Sequence, residues 1–108
     1  MSILKLREQT YRLLEESLPN EQDADAKVRR LLEMEYLRRL AAYRHTDRTL
    51  HQKYASSFQE FVERRVVQAR GFTFDVETDA VNWETAVSGI KMVERQLREL
   101  READAPRD

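Results

Sequence analysis

Apolar side chains recur along most of the chain at steps of three and four, the spacing that gathers them on one stripe of a helix. Between Ile3 and Leu18 they stand at 3, 4, 6, 11, 13, 14 and 18. That stripe predicts a first helix over 1–18, ending at Ser17-Leu18-Pro19-Asn20 because proline cannot continue a helix. Val28, Leu31, Leu32, Tyr36, Leu40, Tyr43, Leu50 and Tyr54 then predict a long second helix over 21–53, with Asn20, Asp23 and Asp25 all able to cap its start. Ser57 followed by Glu60 has the spacing of a capping box, and Phe58, Phe61, Val62 and Val66 predict a short third helix over 58–70, stopped by Gly71. Phe72-Thr73-Phe74-Asp75-Val76 alternates apolar and polar residues, which predicts a short extended segment over 72–76 with Phe72, Phe74 and Val76 on one side. Trp83, Val87, Ile90, Val93, Leu97 and Leu100 predict a last helix over 79–102, capped by Thr78 or Asp79, before a frayed tail over 103–108.

No interior stretch reads as a linker, so residues 1–108 are expected to form a single helical domain. The expected class is all-α: a long antiparallel helical hairpin with additional shorter helices and one short extended segment at 72–76. Leu32, Tyr36, Leu40 and Tyr43 on the second helix, with Trp83, Val87, Ile90 and Leu97 on the last, form the stripe expected to build the core or an oligomer interface. The second helix should rise roughly 45 Å, more than the roughly 34 Å diameter of a globule of this size. Something else should therefore cover it, and a homo-oligomer, with a dimer favoured, is the expected answer.

Composition narrows the chemistry. The chain has 108 residues, 36% of them charged, and no cysteine. Thiolate metal sites, disulfide scaffolds and cysteine nucleophiles are therefore excluded. No apolar run reaches the roughly 20 residues of a membrane span, and MSILKLREQT lacks the apolar centre of a signal peptide, so a cytoplasmic protein without membrane contact is expected. The net charge of −1 conceals a partition: residues 1–26 carry −3, 27–54 carry +5, 55–70 carry +1 and 71–108 carry −4. The second helix is thus a basic rod whose face includes Arg38, Arg39, Arg44 and Arg48. Those arginines either pair with the acidic last helix or face an acidic partner, and nucleic acid is the less favoured of the outside partners.

Candidate catalytic and metal-binding groups are few. His45 and His51 lie six residues apart, about 120° around a helix, so they do not share a face as two metal ligands four residues apart would. No metal and no cofactor is expected. Arg39-x5-His45 and Arg44-x6-His51 fall within the Arg-x4-6-His spacing of the HEPN family of all-α ribonucleases, where arginine would hold the scissile phosphate and histidine would move a proton. Leu40 follows Arg39, where that family carries a polar residue. A HEPN-like ribonuclease is therefore the remote alternative, and a protein that is not an enzyme is expected.

Residues 53–100 carry a fuller pattern: KYASSFQEFVERR, then GFTFDVETDAVNWETAV, then a charged helix with leucines. Lys53, Tyr54, Ser57, Phe58, Phe61, Phe74, Val76, Glu77, Asp79, Trp83 and Glu84 match a family that it resembles: small helical antitoxin-like proteins of prokaryotic type II toxin–antitoxin pairs, encoded beside PIN or TumE-type toxins. Ala55 stands where that family has glycine. The resemblance implies a binding protein that neutralises a cognate toxin, a ribonuclease, by direct contact. It implies Phe72, Phe74 and Val76 as anchors into the partner, and Glu77 and Asp79 as charges near the toxin's active site or as helix caps. A self-associating helical adaptor or assembly protein is the alternative outside that class.

Overall fold

A computed structural model describes residues 5–21 and 23–104. Its helices are α1 (Glu8–Glu16), α2 (Ala24–Tyr54), α3 (Phe58–Glu63), α4 (Val66–Ala69) and α5 (Phe74–Asp104), and no strand occurs among the described residues. The fold is all-α, with the long helices α2 and α5 packed together as an antiparallel hairpin. The chain forms two units, 1–35 and 36–108, and the boundary between them falls inside α2.

In the first unit α1 is shorter than the stripe predicts, and residues 1–4 of the predicted helix lie outside the described residues. Its end is closed by Ser17, whose backbone N–H donates to the Leu13 and Leu14 carbonyls and whose hydroxyl donates to Leu13 at 2.7 Å. Leu18 follows in a left-handed conformation at φ 49°. Asp23 proves to be the cap of α2, accepting from the Ala26 N–H at 2.7 Å. Lys27, counted by charge as part of the basic rod, is buried and donates to the Glu15 carbonyl at 2.6 Å, where an ammonium group satisfies the free acceptors at the end of α1.

In the second unit residues 36–54 of α2 lie antiparallel to α5. Tyr54 and Lys53 meet Asp79 near the start of α5, while Leu40 packs with Val93 and Leu97 near its end. One buried cluster holds Leu50, Phe61, Val76 and Trp83; the other holds Leu40, Val93 and Leu97, with Tyr36, Tyr43 and Ile90 packed against it. Gly89 lets the two helices close: a Cβ there would lie 2.5 Å from the Tyr43 ring.

The connection between the helices differs from its expected form in three ways. Ala55 ends α2 at φ 51°, and the Ser56 N–H donates back to the His51 carbonyl at 3.3 Å, the six-to-one bond that closes a helix through a left-handed residue. The expected single helix over 58–70 is split at Arg65, also left-handed at φ 51°. A continuous helix would carry Arg65 onto the face of Phe58 and Phe61; with the break Arg65 stays exposed and Val66 and Val67 pack against the core.

The third difference is the extended segment expected at 72–76, which is absent. Phe72 is left-handed at φ 56°, Thr73 accepts from the Val76 N–H through its hydroxyl at 3.4 Å, and α5 begins at Phe74, five residues ahead of its expected start. The threonine cap, and Asp75 and Glu77 in the first turn, favour the helix, because each offers oxygen or negative charge to free N–H groups. The alternation of Phe72, Phe74 and Val76 is a coincidence of a turn meeting a helix. The expected tail also differs, because α5 runs through 103 and 104; residues 105–108 lie outside the described residues.

Candidate partner-binding surface

The connection from α3 to the first turns of α5 brings apolar side chains to the surface. Val62, Phe72, Phe74 and Val81 are 55%, 57%, 80% and 62% exposed. Phe58, Val62, Val66 and Val81 line a cleft between α3–α4 and α5, with Arg65 and Glu84 as its charged members. The left-handed turns at Arg65 and Phe72 set this geometry, since one rotates α4 against α5 and the other leaves the Phe72 ring outside.

Of the expected anchors, Phe72 and Phe74 are available to a partner and Val76 is not. Val76 is 2% exposed in the cluster around Trp83, so its expected anchoring role is corrected to a core role. Glu77 is exposed. Asp79 is engaged inside the hairpin, accepting from Lys53 Nζ at 2.6 Å and from the Tyr54 hydroxyl at 2.5 Å, so it caps no helix. Burial pushes its carboxyl up, but the hydrogen bonds from Lys53 and Tyr54 outweigh that and hold it below its ordinary range. The same bond holds the Lys53 ammonium above its usual value, and burial together with the bond raises the Tyr54 hydroxyl.

Trp83 is fully buried and donates its ring N–H to Asp47 at 2.8 Å. Tyr54 stacks on its ring, Phe58 and Phe61 meet it at a tilt, and Tyr54 and Phe61 meet each other edge-on. Asp47 carries no sequence signal for this role; only the antiparallel register brings it opposite Trp83. The expected core stripe is found on the inner seam: Leu40, Trp83 and Leu97 are buried and Tyr36, Tyr43, Val87 and Ile90 pack on them. Leu32 is the exception, exposed on α2 within the first unit.

On the basic face Arg38, Arg39 and Arg48 are exposed, and Arg44 reaches Glu94 of α5 at 3.2 Å. Arg44–Glu94 and Lys53–Asp79 are thus two charge pairs that hold the basic helix to the acidic one. His45 and His51 are both exposed. Arg44, the arginine of one HEPN-like pair, is held by a carboxylate. Among the described residues no group of three His, Cys, Asp or Glu side chains is placed to hold a metal ion, and no helix is long and apolar enough to cross a membrane.

The hairpin defines an all-α protein with exposed apolar side chains at the start of α5. Compared with known proteins, the chain matches no family model, no curated sequence and no solved structure.

Proposed function

We propose that this chain is an antitoxin-like binding protein of the cytoplasm, not an enzyme, that neutralises a cognate ribonuclease toxin by direct contact. The observation that carries the reading is the pair of rings, Phe72 and Phe74, held out of the core at the turn into α5. Burying rings of this size in a partner's pockets is the commonest source of binding energy at protein interfaces. Asp75, exposed beside Phe74 in the first turn of α5, offers charge complementary to a basic RNA-binding cleft.

Co-expression with the product of the adjacent open reading frame tests this. The two proteins should co-purify, and this chain should restore the growth that its neighbour arrests. Absence of both effects contradicts the proposal.

A further inference from the structure

In a chain with 36% charged residues, α5 carries an uncharged row on its outer face. Thr78, Val81, Thr85, Ser88 and Met92 follow one another at steps of three and four, and all are exposed. This is the spacing of a coiled-coil seam, on the side of α5 away from Trp83, Val93 and Leu97. Val81 and Met92 stand at 62% and 42% exposure, while Thr85 already donates its hydroxyl to the Val81 carbonyl at 2.9 Å. The small residues at the centre let another helix approach closely.

The flank of this row identifies the other helix. Glu77, Glu84, Lys91 and Arg98 follow at steps of seven along one edge, all exposed. The cross-helix and i,i+4 ion pairs of α5 use Asp79, Glu94, Arg95 and Glu99 instead. The order acid, acid, base, base is complementary to itself when reversed. If Thr85 lies opposite Ser88 of a second copy, Val81 meets Met92, Glu84 meets Lys91 and Glu77 meets Arg98, each twice by symmetry. Antiparallel helices bring these flanking positions together, whereas a parallel pairing sets them against the opposite edge, where Asn82, Gly89 and Gln96 offer no charge.

We propose that α5 pairs antiparallel with α5 of a second copy of this chain, about a two-fold axis passing between Thr85 and Ser88. Phe72 precedes α5 and lies outside this row, while Phe74, four residues before Thr78, continues it at its outer end.

Sedimentation equilibrium of the purified chain should give a dimer mass. Glu77→Lys with Glu84→Lys makes the whole flank basic, and Lys91→Glu with Arg98→Glu makes it acidic. Each double variant should keep its helical circular dichroism and weaken self-association by roughly tenfold or more, since four pairs turn repulsive. Mixing the two should restore dimers as heterodimers, and all four changes in one chain should restore the homodimer. A monomeric wild type, double variants that dimerise like wild type, or a mixture that fails to recover dimers overturns the proposal. No toxin enters these measurements, so their outcome is independent of the antitoxin reading.

Discussion

Ala55 adopts a left-handed conformation that ordinarily costs a non-glycine residue about 1–2 kcal/mol, yet the helix-closing bond from Ser56 to His51 depends on it. Ala55→Gly should therefore raise stability by about 1 kcal/mol in urea unfolding, whereas the same change inside a helix would lower it by a similar amount. Asp79 acts at the same scale through its two hydrogen bonds. Its carboxyl is held below the ordinary range, so it stabilises the fold above the unfolded carboxylate pKa of about 4, and that contribution fades as pH falls through the lowered folded value. The raised Tyr54 and Lys53 groups behave oppositely: their contribution is full below about pH 10 and is lost as pH rises through their folded values. Asp79→Asn should flatten both edges of the melting temperature against pH. The capping role of Ser57 and Glu60 was legible in the sequence because a cap is a local pattern. The roles of Asp47 and Lys27 were not, because each depends on which distant backbone or ring lies opposite.

At the scale of elements, the two long helices follow from uninterrupted three-and-four spacing, and α2 begins and ends within a few residues of expectation. The differences concentrate between them, where Ala55, Arg65 and Phe72 turn left-handed alongside Gly71. Arginine and phenylalanine carry no turn signal, so a split at Arg65 and a turn at Phe72 could not be read from residue type. The hairpin's close packing rests on Gly89 facing the Tyr43 ring. Gly89→Ala should destabilise by about 1–3 kcal/mol through that collision, even though alanine is the better helix former by about 1 kcal/mol. In a Tyr43→Ala background the same change should instead be neutral or stabilising, as thermal melts of the four variants would show.

For the whole molecule, near-neutrality results from opposed segments, and the structure partly spends that opposition on holding α2 to α5 through Arg44–Glu94 and Lys53–Asp79. Exposed pairs of this kind contribute only about 0.2–1 kcal/mol each, so packing around Trp83 and Val93 is what stabilises the second unit. Partner recognition is assigned to the apolar end, where Phe74 is 80% exposed and contributes little to that packing. Its removal should then affect binding without affecting the fold. The measurement that isolates this is calorimetric titration of the adjacent gene's product with wild type and with Phe74→Ala, both of unchanged thermal stability. Wild type should bind, and the variant should bind at least about tenfold more weakly, the usual effect of truncating an interface anchor. Equal affinities, or no binding by wild type, would contradict it.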